Sequence, residues 1–171
     1  MPKVLLLSDS HGLTEEVTTI KYRHMDEVDK LIHCGDSELS EDSQELSQYI
    51  KVAGNCDLDG RYPDEQQITV DDLSFFATHG HLFQVKSSLM PLSYRADELG
   101  AKVVCFGHTH IAGAERVGDK LFINPGSIRL PRVRKEGTYA IVTWKDHDIV
   151  VEFFDVNGKR VDDLTYETTL E

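Results

Sequence analysis

The 171-residue sequence predicts an α/β fold with two sheets. Short apolar runs alternate with amphipathic or polar stretches through residues 3–53, which is the strand–helix–strand signature of a parallel sheet. Beyond residue 67, strand-like runs separated by turn signals read as hairpins of a second sheet. Five polar motifs stand at the ends of apolar runs, and open α/β sheets bind ligands beyond the carboxyl ends of their strands.

The elements follow in order. Lys3-Val4-Leu5-Leu6-Leu7 is apolar and too short for a helix, so it reads as a buried strand. Residues 14–30 carry Val17, Ile20, Met25 and Val28 among charged residues, an amphipathic helix. Leu31 and Ile32, flanked by Cys34, form a second strand. The polar stretch 40–48 predicts a short exposed helix with Leu46 as its apolar contact, and Tyr49 to Ala53 a third strand.

Residues 67–70 and 73–78 flank Asp71-Asp72 and predict a hairpin. A helix falls within 87–99, with Pro91 near its start and Gly100 as its C-cap. Residues 102–106 are a buried strand. Runs at 111–117, 121–124, 138–144 and 149–155 read as antiparallel strands. The polar tail 157–171 reads as a final strand or as a disordered, peripheral segment. No repeat or low-complexity linker interrupts the chain, and its length suits one domain over residues 1–171.

The net charge of -12 opposes binding to long nucleic acids. It restrains a small anion less, because bound metal can reverse the local field. No apolar run approaches the roughly 20 residues that span a bilayer. The N-terminal run reads as a strand and not as a signal peptide, so no membrane association and a cytoplasmic location are expected. Cys34, Cys56 and Cys105 are odd in number and fit no disulfide framework.

The motifs carry the chemistry. They are Asp9-Ser10-His11, Gly35-Asp36, Gly54-Asn55, His79-Gly80-His81 and Gly107-His108-Thr109-His110. On extended backbone, side chains at i and i+2 point the same way, so Asp9 with His11, and His108 with His110, could each reach one metal ion. Asp36 could bridge two ions through its two oxygens. Each motif also has a plain reading. Asp9 and Asp36 are common turn or cap residues, Gly-Asn is a common turn, and loop histidines are often surface residues. Asp57 could orient a ligand or cap a turn. His24 reads as a helix-surface residue, His33 as a strand residue or a support for the motif beside it, and His147 as an exposed turn residue. Taken jointly, Asp, Asn and His side chains suit two hard cations about 3.5–4 Å apart better than a cysteine-rich zinc site.

In this order the motifs resemble the calcineurin-like metallophosphoesterase superfamily. Leu7-Ser8-Asp9-Ser10-His11-Gly12 and Asn124-Pro125-Gly126-Ser127 narrow the likeness to its small bacterial and archaeal phosphodiesterases. The resemblance implies a four-layer α/β-β/α sandwich, two mixed sheets flanked by helices. It implies that Asp9, His11 and His110 hold one metal, that Asn55, His79 and His108 hold the other, and that Asp36 bridges them. Manganese is the first choice of metal, with nickel, iron or zinc as alternatives. The implied reaction is attack of a dimetal-activated hydroxide on a small phosphate diester, with no nucleophilic side chain.

Some residues stay open. Many superfamily members carry His directly after the Gly-Asn asparagine, where this chain has Cys56, a weak donor. His81 is a candidate acid or a support for the metal ligands. Asn55 and the backbone of Gly12 are candidates for substrate contact, the latter at the entry to a helix. Arg129, Arg132 and Arg134 are the densest positive cluster and form an exposed edge, a phosphate guide or a contact in a homo-oligomer. The competing functions are a phosphomonoesterase or nucleotidase, and a protein-binding scaffold that keeps its metal site, similar to the retromer subunit of this fold, whose own site is degenerate.

Overall fold

The computed structural model describes residues 1–171. The elements are β1 (Lys3–Leu7), α1 (Glu15–His24), β2 (Lys30–His33), β3 (Tyr49–Lys51), β4 (Glu65–Val70), β5 (Leu73–Thr78), α2 (Met90–Leu99), β6 (Val103–Cys105), β7 (Gly113–Val117), β8 (Lys120–Asn124), β9 (Thr138–Lys145), β10 (Asp148–Asp155) and β11 (Tyr166–Thr169). One sheet runs β11-β10-β9-β1-β2-β3 and the other β4-β5-β6-β8-β7. Strands β1, β2 and β3 are parallel, as are β5, β6 and β8. Antiparallel strands complete both sheets, so each is mixed.

Alternation along the strands builds the layers. In β1, Val4 and Leu6 join the core between the sheets, while Leu5 and Leu7 pack with Val17 and Ile20 of α1. In β6, Val103 and Cys105 face the inter-sheet core, while Val104 packs with Leu92 and Ala96 of α2. The result is helix, sheet, sheet, helix, the expected four-layer α/β-β/α sandwich. Burying one such Leu or Val side chain contributes about 1.5–3 kcal/mol.

Several local expectations need correction. Helix α1 stops at His24 instead of running to residue 30, because the chain turns there to set Lys30 beside Val4. His24 is buried, with Nε2 2.6 Å from the Tyr139 hydroxyl. Residues 40–48 hold only one 3-10 turn, Gln44–Leu46, and Leu46 is fully buried. The buried Lys21 ammonium caps that turn by donating to the carbonyls of Gln44, Glu45 and Ser47. The runs from 111 to 155 do pair antiparallel, β7 with β8 in the second sheet and β9 with β10 in the first.

Helix α2 begins with Pro91 and ends at Gly100 in the left-handed conformation. The tail forms edge strand β11, which clasps the sheets together: Tyr166 Oη accepts from the Arg116 backbone of β7, and Thr169 O accepts from its guanidinium. All three cysteines are free. No helix is long and apolar enough to cross a membrane.

Candidate metal centre

The six parallel strands all deliver their carboxyl ends to one seam between the sheets. Asp9 follows β1, Asp36 follows β2 and Asn55 follows β3. His79 follows β5, His108 and His110 follow β6, and the Asn124–Ser127 turn follows β8. Two glycines allow the loops to approach closely. A Cβ at Gly54 would stand 2.0 Å from Asp36 Oδ1, and one at Gly107 would stand 2.1 Å from Ser8 Oγ.

The paired residues converge for a different reason than extended backbone. Asp9, His11, Asp36, His108 and His110 all have positive φ, between 42° and 71°. That left-handed conformation is uncommon outside glycine and costs of order 1–3 kcal/mol per residue. Five such residues in one seam mark a site maintained against local strain.

Hydrogen bonds fix the imidazole orientations. His79 Nδ1 lies 2.8 Å from the Cys34 carbonyl, and His110 Nδ1 2.8 Å from the Leu130 carbonyl. A carbonyl only accepts, so both Nδ1 atoms carry the proton and both Nε2 lone pairs are free. His11 Nδ1 sits 2.8 Å from Glu38 Oε1, which selects the same tautomer.

The free atoms meet. His110 Nε2 is 3.2 Å from Asp9 Oδ1, and His79 Nε2 is 3.2 Å from Asp36 Oδ2. His11 Nε2 reaches both carboxylates, at 3.8 Å and 3.9 Å. Asp9 Oδ1 and His79 Nε2 are buried without any hydrogen bond. Lone pairs facing lone pairs in a buried seam are costly unless cations or protons lie between them. Hard oxygen and imidazole donors fit divalent cations there.

Two sets of three have ligand atoms within 4.8 Å of one another: Asp9, His11 and His110; and Asp36, His79 and His108. Cys56 joins His11 and Asp36 in a third set. Asn55 is exposed, and its side-chain amide touches only Cys56 Sγ, at 3.6 Å. Asp36 Oδ1 accepts from the Cys56 N–H, while its Oδ2 faces His79 Nε2. The Gly12 amide is not free for substrate, because it donates to Ser37 O. Glu15 and Glu16 already occupy the positive end of α1.

Electrostatics agree with a cation site. Burial pushes the Asp36 carboxyl up, but His79, the Cys56 N–H and His11 together outweigh it and the net shift is downward. Asp9 behaves likewise, with burial opposed by His110 and His79. Contact with Asp9 raises His110. Burial lowers His79, and Asp36 and Asp9 more than restore it, for a net rise. Burial, with the charges of His79 and Lys86, holds His108 down at about 4.

The remaining candidates separate clearly. His81 lies beside the second set, its ring 5.4 Å from His79 and 6.2 Å from His108. Burial and then the His79 charge lower it, which favours a supporting role over proton donation. His33 is buried, held at about 4 by burial. It accepts from the Gly35 N–H at Nδ1 and donates to Ser10 Oγ from Nε2. His147 lies in an exposed turn, and Arg134 pairs with Glu136 and Asp163.

Sequence reasoning misses Glu38 and leaves Asp57 undecided. Asp57 accepts from the backbone N–H groups of Asp36, Glu38 and Gly54, so it clasps two motif loops together. Sequence reasoning also misses a collar over residues 127–132. Ser127 Oγ donates to Asp9 O, Arg129 Nη1 to His11 O, and the Arg132 N–H to His110 O.

Fold and site together define a two-metal centre at the strand ends of an α/β-β/α sandwich, the arrangement of metal-dependent phosphoesterases. Residues 3–147 match the family model described as the calcineurin-like phosphoesterase superfamily domain, and the chain belongs to that superfamily. It is 52% identical over 167 residues to the probable metallophosphoesterase YsnB of Bacillus subtilis, covering 98% of this chain and 99% of that one. A crystal structure from Streptococcus pneumoniae, described as a predicted phosphoesterase, superposes with a TM-score of 0.95 at 34% identity, covering 98% and 97% of the two chains. Vacuolar protein sorting 29 from Cryptosporidium parvum shares the fold, with a TM-score of 0.78 at 18% identity over 99% and 98% of the chains.

Proposed function

We propose that the chain is a phosphodiesterase that hydrolyses a small phosphate diester with two divalent cations, manganese first among them. The observation that carries this reading is the set of unpartnered donor atoms, Asp9 Oδ1 and His79 Nε2, in a buried seam with three aligned Nε2 lone pairs. When bound, two cations supply an acidified water and positive charge for the phosphoryl oxygens.

The protein's part is to hold and orient. Asp9, His11 and His110 would hold one cation, and Asn55, His79 and His108 the other, with Asp36 shared between them. The Asn55 amide meets Cys56 Sγ through Nδ2, which leaves Oδ1 unengaged for a cation, and the side chain is exposed enough to meet a phosphoryl oxygen as well. The Nδ1 contacts keep three imidazoles aimed inward. No side chain is assigned as nucleophile. We place the reaction in the cytoplasm and the whole chain, residues 1–171, in one domain.

The test is a paired assay on the manganese-loaded protein with methyl 4-nitrophenyl phosphate and 4-nitrophenyl phosphate. The diester is expected to be the better substrate, and His110→Ala to abolish turnover. A preference for the monoester would move the protein to the phosphomonoesterases. Cleavage of neither would favour a scaffold.

A further inference from the structure

We infer that Arg129 and Arg132 form an anion subsite at the rim of the first metal set, which recognises a second anionic group, carboxylate or phosphate, on the substrate's alcohol portion. This rests on the phosphoesterase reading of the metal centre and names the class of ester it takes.

The chain has 18 basic against 30 acidic residues, so an arginine usually finds a carboxylate. Arg61, Arg95, Arg134 and Arg160 each do. Arg23 and Arg116 spend their guanidinium groups on carbonyl and hydroxyl oxygens. Arg129 and Arg132 differ. Both are exposed and neither pairs with a carboxylate. Arg129 uses one nitrogen, donating to His11 O, and lies over Gly12, where a Cβ would stand 3.7 Å from Nη1. Only the backbone of Arg132 is engaged, with His110 O.

Their place follows from the collar. The loop that carries them touches the backbone carbonyl of every residue in the first metal set: Asp9, His11 and His110. The Arg129 guanidinium and the Arg132 backbone are therefore anchored beside the ligands, while most of the two side chains' donors stay open. A planar guanidinium with free paired N–H groups matches a carboxylate or phosphate in bidentate fashion. In a protein of net charge -12, this local positive edge lets a compact dianion approach where a long polyanion is repelled.

The test separates the subsite from turnover. Binding of propylphosphonate, 3-phosphonopropionate and propane-1,3-bisphosphonate to manganese-loaded protein is measured by calorimetry, for the native chain, Arg132→Gln and Arg129→Gln. The native protein is expected to bind a doubly functional ligand about fivefold more tightly than propylphosphonate, the scale of one exposed arginine ion pair. The preference should collapse toward one in Arg132→Gln, whose lost side chain makes no hydrogen bond or ion pair within the fold. Comparing the carboxylate with the bisphosphonate tells which anion is taken. Equal binding of all three ligands by the native protein, or an unchanged preference in both variants, overturns the subsite. Neither result depends on whether a diester is cleaved, so the hydrolytic reading stands or falls separately.

Discussion

The Nε2 atoms of His11 and His110 stand 3.3 Å apart, although they belong to motifs 99 residues apart in sequence. Their Nδ1 atoms face Glu38 Oε1 and Leu130 O, which turns both Nε2 lone pairs toward the same point. Two acceptors cannot share that point without a proton or a cation between them. The centre is therefore a place where protons and metal ions compete.

The first prediction is proton-linked metal binding. Contact with Asp9 raises His110, and Asp36 and Asp9 outweigh burial to raise His79. A cation must displace protons that these shifts hold in place, so its affinity falls as pH falls. Calorimetry between about pH 8 and pH 5.5, in buffers of different ionisation enthalpy, should show weakening affinity and proton release. A pH-independent affinity would contradict this.

Glu38 should matter through His11. Partners of metal-ligating histidines are worth about 10–100-fold in metal affinity, and the exposure of Glu38 argues for the lower end. Glu38→Ala should weaken manganese binding about tenfold. Glu38→Gln, which keeps an acceptor for Nδ1, should recover most of it. The same titration decides, and undiminished binding by Glu38→Ala would dismiss the role.

Gly107→Ala should damage the centre from the backbone. The added Cβ would lie 2.1 Å from Ser8 Oγ and 2.4 Å from Asp9 Oδ2, both in buried residues. A stability loss of about 1–3 kcal/mol is expected from the overpacking, together with lost metal binding. Gly60→Ala, where the Cβ meets nothing within 4 Å, is the control in thermal unfolding. Similar melting temperatures for the two variants would be inconsistent with this packing.

The leaving group offers a further check. Burial, and then the Asp36 charge, raise the Cys56 thiol, so it stays protonated and remains a weak donor. Neutral His81 is a poor acid. Aryl diesters, whose leaving groups need little protonation, should be cleaved faster than alkyl diesters. Comparable rates for the two would require a proton donor that this centre does not supply.

Much of this centre is legible in the sequence because its parts are local. A strand run followed by Asp-x-His or His-x-His can be read in a few residues, and the layout places those motifs at one edge. The backbone reason is not legible. The pairs converge through left-handed turns at Asp9, His11, His108 and His110, and although Asp and His adopt that conformation more often than most residues, they do so too rarely for their identity to announce it. Glu38 and Asp57 are obscured because acidic residues are plentiful here, and their roles depend on contacts with loops distant in sequence. His24 reads as a surface residue of an amphipathic helix, but its partner Tyr139 lies 115 residues away. Leu46 misleads for the same reason, since Lys21 holds its turn against the core.

The most direct measurement is anomalous diffraction from manganese-soaked crystals. Two peaks are predicted. One should fall among Asp9, His11 and His110, the other among Asn55, His79 and His108, with Asp36 between them. A single peak, or manganese bound only outside this seam, would contradict a two-metal centre.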